Sequence, residues 1–318
     1  MPPPLQDILD RLHVVALPMR VMFRGITMRE VALIDGPAGW GEFGAFGEYE
    51  PPEAAHWLAA ALESAYETPP PARRTRIPIN ATVPAVDASG VPEVLARFPG
   101  ARTAKVKVAE PGQSLADDVA RVEAVRAIIP TVRVDANGGW TVDQAVQAAR
   151  ALGPLEYLEQ PCATIAELAE LRGRIDTLVA ADESIRKAQD PLAVAAAGAA
   201  DIAVVKVAPL GGVAALLRIA EEIGMPVVVS SAIDSAVGIA AGLNAAAALP
   251  DLRYACGLGT GSLFVDDVAA APACVDGFLP VTPIVPDPDR LHALAASPRR
   301  RQWWIERIRS CHRLLAAS

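Results

Sequence analysis

Three lysines, three carboxylates and a serine recur along this chain at a nearly constant step, and together they are equipped for proton transfer. Lys105 and Lys107 stand two residues apart in Thr103-Ala104-Lys105-Val106-Lys107-Val108. On a strand both side chains leave the same face. Two ammonium groups on one apolar strand face are costly unless something anionic or catalytic answers them. Onward from Lys107, Asp135 follows after 28 residues, Glu159 after a further 24, Asp182 after 23, Lys206 after 24 and Ser230 after 24. Each ends an apolar run, and a helix-like stretch follows each run. The step is the length of one strand–helix unit.

In a parallel barrel the residues at the C-terminal ends of the strands converge on one mouth. Carboxylates forced together there repel, and a hard divalent cation removes that cost. All-oxygen ligation by Asp135, Glu159 and Asp182, with no nearby His or Cys, selects Mg²⁺ over zinc, with Mn²⁺ as a substitute. The four histidines are His13, His56, His292 and His312, so the predicted barrel contains none. Proton transfer at its mouth falls to lysine, carboxylate or hydroxyl. A metal and a base are what abstraction of a proton next to a carboxylate needs. Singly, each residue has a plainer reading: a lone strand-end lysine is a solvated terminus, and Asp-Glu-Ser is a helix cap. The order Lys, acid, acid, acid, Lys at a regular step makes the set a site.

The elements that must position these residues can be read from periodicity. Strand candidates are 77–83, 103–109, 131–136, 155–160, 178–183, 202–208, 226–231 and 253–258. Helix candidates lie between them at 114–129, 141–152, 164–175, 190–199, 212–223 and 235–249. Thr141–Gln144 and Thr164–Glu167 have the capping-box pattern. Eight apolar strands, most followed by a helix, indicate a parallel barrel. An open doubly wound sheet is the alternative, but its glycine fingerprint is missing after the first strand. The connection 84–102 is irregular. Residues 1–75 instead suggest a small α+β domain, with strands near 12–17 and 29–34 joined by a loop at 18–25, a strand or turn at 39–44 and a helix at 52–66. The barrel occupies 76–262, and the segment 263–318 is expected to return to the N-terminal domain.

Composition narrows the class. Apolar residues make up 52% and charged residues 21%, which suits a well-buried globular protein. A net charge of −8 argues against nucleic acid or an anionic membrane as the partner, in spite of the Arg299-Arg300-Arg301 run. Cys162, Cys256, Cys274 and Cys311 show neither metal spacing nor a disulfide framework, which favours a reducing cytoplasm. The first residues do not read as a signal peptide, and no apolar run reaches the roughly 18–20 residues of a membrane span.

At these residues the chain resembles the enolase superfamily, in its muconate-lactonizing-enzyme-like branch. The motifs are Lys105-Val-Lys107, Val134-Asp135-Ala136-Asn137, Leu158-Glu159-Gln160-Pro161, Ala181-Asp182-Glu183-Ser184 and Val205-Lys206. The resemblance implies a (β/α)7β-type TIM-like barrel with a small α+β capping domain. It implies Asp135, Glu159 and Asp182 as Mg²⁺ ligands, Lys107 and Lys206 as the acid/base pair, and Lys105 as a neighbour that assists Lys107. The loop that carries Met19, Phe23 and Arg24 would close over a small-molecule carboxylate substrate.

Within the branch the chain looks most like a group of dehydratases whose substrate carries a succinyl arm. That likeness rests on Arg133 and Asn137 in Arg-x-Asp-x-Asn, on Ser230-Ser231-Ala232, on Gly257-Leu258-Gly259-Thr260 and on Met22–Thr27. It implies that Arg133, Asn137, Ser230, Ser231, Gly259 and Thr260 contact or support the substrate. Read from its residues alone, the glycine-rich loop is either an anion cradle or a plain turn. Racemisation of N-succinylamino acids or dipeptide epimerisation on the same site is the nearest alternative. More distant ones are a barrel that binds without turnover and a Schiff-base aldolase using Lys206.

Overall fold

The structure is a computed structural model that describes residues 2–23, 25–185, 190–270 and 272–317. Helix α1 (Leu5–Asp10) leads into an antiparallel sheet of β1 (Leu12–Phe23), β2 (Ile26–Asp35) and β3 (Trp40–Phe43). Helix α2 (Pro51–Tyr66) covers one face of that sheet. Ala54, Trp57, Leu58, Ala61, Leu62 and Ala65 recur at helical spacing and form its buried stripe.

Residues 18–23, expected to belong to a loop at 18–25, instead extend a long strand. Strand β1 continues to Phe23, with a register shift between Pro18 and Phe23. Pro18 supplies no N–H to the ladder, so the pairing is broken there and re-formed beyond it. Met19 bridges to Phe264, and Val265 donates its N–H to the Pro18 carbonyl.

The chain then enters the barrel. The expected strand at 77–83 is divided into β4 (Arg76–Pro78) and β5 (Ala81–Val83). Next come α3 (Val91–Leu95), β6 (Thr103–Lys107), α4 (Leu115–Arg126), β7 (Thr131–Asp135), α5 (Val142–Ala151), β8 (Leu158–Glu159), α6 (Ile165–Arg172) and β9 (Val179–Ala181). After α7 (Asp190–Ala196) follow β10 (Ile202–Val205), the short α8 (Val207–Leu210), α9 (Val213–Ile223), β11 (Val227–Val229) and α10 (Ala236–Ala248). Reciprocal capping boxes start α5 at Thr141/Gln144 and α6 at Thr164/Glu167. A third, Ser114/Asp117, starts α4 with Asp in the place usually held by Glu.

Strands β5 to β11 form one curled parallel sheet in sequence order. The eighth strand expected at 253–258 is reduced to single parallel bridges, Cys256 to Ile79 on one side and Gly257 to Ser230 on the other. Glycine at 257 and 259 weakens extension, and the chain turns away into a short 3-10 helix at Thr260–Leu263. These bridges join the two edges of the curled sheet.

Strand β12 (Phe278–Pro280) pairs antiparallel with β4 outside the barrel. Helices α11 (Pro288–Ala293) and α12 (Pro298–Ala317) end the chain. Trp304, Ile305, Ile308 and Cys311 of α12 enter the core shared with α2 and the antiparallel sheet, and Trp304 stands edge-on to Phe43 at 5.3 Å. Two arginines of α12 are held by the protein itself: Arg300 pairs with Glu30, and Arg307 donates to the carbonyls of Phe46 and Tyr49. No helix among the described residues is long and apolar enough to cross a membrane.

Candidate active site at the barrel mouth

Parallel register puts the polar strand ends side by side. Lys107 is paired across the ladder with Asp135, and Asp135 with Glu159; Lys105 lies one level deeper, beside Arg133. Asp182 and Lys206 follow the last residues of β9 and β10, and Ser230 follows β11. Lys105, Lys107, Asp135, Asn137, Asp182, Lys206, Ser230, Ser231 and Thr260 line a single cavity of about 40 Å³. The structure therefore brings together nearly all the residues expected at the mouth.

Within the cavity wall charge answers charge. Lys105 Nζ lies 2.6 Å from Glu159 Oε1 and 3.2 Å from Asp135 Oδ2. Lys107 Nζ lies 2.5 Å from Asp135 Oδ2 and donates to Asn137 Oδ1 at 2.7 Å, and Lys206 pairs with Asp182. Burial opposes the charge on Lys105, but Glu159 and Asp135 outweigh it and hold the ammonium well above its ordinary pKa. Burial likewise opposes ionisation of Asp135, yet Lys107 and Lys105 keep it well below the usual carboxylate range. At Glu159 burial prevails over Lys105, and its carboxyl is pushed up to about 7.

Asp135, Glu159 and Asp182 each offer an oxygen, all within 4.8 Å of one another, and all three are buried. Glu159 Oε2 is buried and accepts no hydrogen bond. An all-carboxylate donor set with an unsatisfied buried oxygen fits a hard divalent cation.

Backbone strain is concentrated at this mouth. Ala109, Asn137, Gln160 and Ile233 have φ of 59°, 47°, 37° and 61°, and each lies within four residues of a strand end. Non-glycine residues adopt this region at a cost of about 1–3 kcal/mol, sustained when the surroundings over-determine it. Gln160 shows how. Its Oε1 accepts the N–H groups of Asp182 and Ser184, while its Nε2 donates to the Cys162 carbonyl and Ser184 Oγ. One side chain thus ties the loop after Glu159 to the loop that begins with Asp182.

Other expected residues have different surroundings. Arg133 is fully buried, but its guanidinium turns away from the cavity, to Glu156, the Tyr157 hydroxyl and the Ala255 carbonyl, and covers the Tyr157 ring at 4.5 Å. Sequence spacing gives its face of the strand but not its depth. Met19 is buried in the capping-domain core, away from the cavity. Gly259 is set by packing, since a Cβ there would lie 2.9 Å from the Phe98 ring. Gly257 does line the cavity, and a Cβ on it would collide with Ser230 Oγ at 2.4 Å. Ser231 Oγ and Thr260 Oγ1 are hydrogen-bonded at 2.6 Å. The Phe23 side chain and the whole of Arg24 lie outside the described residues.

Sequence reading overlooked Thr82, Glu183 and Ile233 in the wall, and the tethering role of Gln160. Glu183 accepts from Asn137 Nδ2 at 3.1 Å. Gln160 and Glu183 each directly follow a predicted metal ligand, which was the only signal available for them.

The "Enolase C-terminal domain-like" family matches residues 92–287, and the "Enolase N-terminal domain-like" family matches residues 14–65. The o-succinylbenzoate synthase of Mycobacterium marinum is 74% identical over 317 residues, covering 99% of this chain and 97% of that one. The enzyme of that name from Mycolicibacterium smegmatis is 73% identical over 316 residues, covering 98% of each. Among solved structures, a muconate lactonizing enzyme from Pseudomonas fluorescens superposes with a TM-score of 0.77 at 22% identity, over 90% of this chain and 98% of that one. An N-succinyl Arg/Lys racemase from Bacillus cereus gives 0.74 at 19% identity, over 90% and 97%.

Proposed function

The chain belongs to the enolase superfamily, in its o-succinylbenzoate synthase family, and from that premise we propose how its barrel mouth performs the reaction. The substrate is 2-succinyl-6-hydroxy-2,4-cyclohexadiene-1-carboxylate and the product 2-succinylbenzoate, an intermediate of menaquinone biosynthesis. The observation that carries the reading is one cavity lined by Lys107, Lys206, Asp135 and Asp182, with the buried Glu159 carboxylate within 4.8 Å of both acids.

Asp135, Glu159 and Asp182 would hold Mg²⁺, with Mn²⁺ as a substitute; the ion supplies charge stabilisation for the substrate carboxylate. Lys107, in its neutral form, takes the proton α to the ring carboxylate. Lys206, as a cation, stabilises the negative charge that spreads onto the carboxylate oxygens. The C–H electron pair becomes the new ring double bond as the C–O bond breaks. The departing hydroxyl takes the proton from Lys107 and leaves as water. No oxidant is needed, and aromatisation drives the second half of the reaction.

Lys105 keeps its positive charge and anchors Asp135 and Glu159. Asn137 orients the Lys107 ammonium. Ser230, Ser231 and Thr260 form the wall assigned to the succinyl arm. Arg133 supports β7 from below. The four cysteines are all unpaired, which supports a reducing, cytoplasmic setting. The overall negative charge supports a chain without a nucleic-acid partner.

The test is an assay of the aromatic product by absorbance in the presence of Mg²⁺. We expect Lys107→Ala to lose at least about a thousandfold in kcat; native turnover by that variant would overturn the assignment of the base. A second reading, racemisation of N-succinylamino acids, is favoured by the presence of lysines on both β6 and the end of β10 in one cavity. Deuterium uptake at the α-carbon of an N-succinylamino acid in D₂O tests it.

A further inference from the structure

The wall of the cavity that carries Ser230 and Ser231 is held from outside the barrel. Ile233 belongs to the same loop, lines the cavity and is 2% exposed. Its φ of 61° is the left-handed region, where a β-branched side chain is strained. Its carbonyl accepts from Arg29 Nε at 3.0 Å, across 204 residues of sequence. Arg29 is a residue of β2 in the capping domain and is 3% exposed. Its other end donates to the Gly44 carbonyl, and its guanidinium covers the Phe46 ring at 4.3 Å. Glu42 of β3 completes the grip, accepting the Ser235 N–H at 2.9 Å and the Gly238 N–H at 3.3 Å, where α10 begins. Asp234 Oδ2 closes the turn by accepting the Ala232 N–H at 3.1 Å.

A strained conformation persists only when its surroundings fix it. Within the loop the fixing contact is that one turn. The Ile233 carbonyl is held from the antiparallel sheet of the capping domain, by Arg29, while the flanking Ser231 and Ala236 are held by Gly257, Thr260 and Asp267.

We propose that Arg29 is a positioning residue that holds Ile233 in its left-handed conformation, and so sets the wall that receives the succinyl arm. The positioning half stands on the geometry alone, and the succinyl half rests on the proposed reaction. Without Arg29, Ile233 relaxes towards ordinary backbone angles, and Ser231 loses its place beside Thr260. Substrate affinity then falls, while Lys107 and Lys206, on other strands, keep their positions.

A double-mutant cycle tests this, with Arg29→Met, Ile233→Gly and the pair. Glycine adopts a positive φ without strain, so the loop of Ile233→Gly has no need of the arginine. We expect Arg29→Met to raise KM about fivefold to tenfold with kcat within about twofold, and to raise it less than about twofold in the Ile233→Gly background. Hydrogen exchange at the amides of Ala232 and Ser235 should accelerate in Arg29→Met and be unchanged by that substitution when residue 233 is glycine. Arg29→Lys, which keeps the charge but not the two-sided donation, controls for loss of folding in a thermal melt. Unchanged exchange in folded Arg29→Met or Arg29→Lys protein overturns the positioning role. An equal rise of KM in both backgrounds also overturns it. Faster exchange with an unchanged KM overturns the link to the succinyl arm. If the wild-type chain does not convert the substrate, the proposed reaction fails, and the exchange measurement still decides the role of Arg29.

Discussion

Lys107 and Asp135 face each other across adjacent parallel strands, with Lys107 Nζ 2.5 Å from Asp135 Oδ2. The group assigned to proton transfer is thus in direct contact with the first of the three buried carboxylates. A cation held by those carboxylates would therefore lie beside the Lys107 side chain.

The first prediction follows from that contact. Chelation with EDTA should abolish turnover, and Mg²⁺ or Mn²⁺ should restore it. Asp135→Asn should weaken Mg²⁺ binding by at least about tenfold, because an amide replaces a charged oxygen ligand. Titration calorimetry of the purified variant reads this directly. Native Mg²⁺ affinity in Asp135→Asn would remove Asp135 from the ligand set.

Gln160 should matter beyond its size. Gln160→Leu leaves the N–H groups of Asp182 and Ser184 without their acceptor. Metal affinity should fall about 10- to 100-fold through misplacement of Asp182. Stability should fall by about 1–3 kcal/mol from the unsatisfied donors. Urea unfolding separates the two effects; a loss of stability with Mg²⁺ affinity intact would make Gln160 merely structural.

Behind Lys107, the strand end is held by a buried arginine. Arg121 Nη1 donates to the Lys107 carbonyl at 2.8 Å and to Asp118 Oδ1 at 2.9 Å. Arg121→Ala leaves the buried Asp118 carboxylate unpaired and should cost about 3–5 kcal/mol. Arg121→Ala together with Asp118→Ala should cost less than the sum of the single losses. Additive losses would show that the pair does not act as a unit.

Stability should depend on pH through Glu42. Burial, and next the Asp234 charge, push its carboxyl up to about 8 from a reference of 4.5. The folded chain therefore binds this proton more tightly than the unfolded chain. The resulting stabilisation is complete below about pH 4.5 and is lost as pH rises through about 8. Glu42→Gln, which mimics the protonated form, should flatten the decline in melting temperature between pH 5 and pH 8. Identical slopes in the two proteins would place the titration elsewhere.

The strand-end set was legible because a parallel barrel offers one polar C-terminal residue per strand–helix unit, and the unit has a nearly fixed length. Lys107, Asp135, Glu159, Asp182, Lys206 and Ser230 therefore appear in sequence as a regular step and in space as one ring. The capping boxes at Thr141 and Thr164 were legible for a related reason: their partners are three residues apart. Arg133 shows where this stops. The two-residue period puts it on the same strand face as Asp135, yet whether its long side chain rises to the mouth or descends to Glu156 depends on neighbours from other strands.

The sequence by itself thus determined most of the barrel elements, their order and which polar residues end its strands, because these depend on local periodicity and repeat length. Only the tertiary structure decided that residues 18–23 extend β1, that the eighth strand shrinks to two bridges, and that Arg29 and Glu42 grip the loop after β11. The Arg29 and Glu42 contacts join residues about two hundred positions apart and follow no period. They form only when one domain's surface meets another's, which no stretch of sequence records.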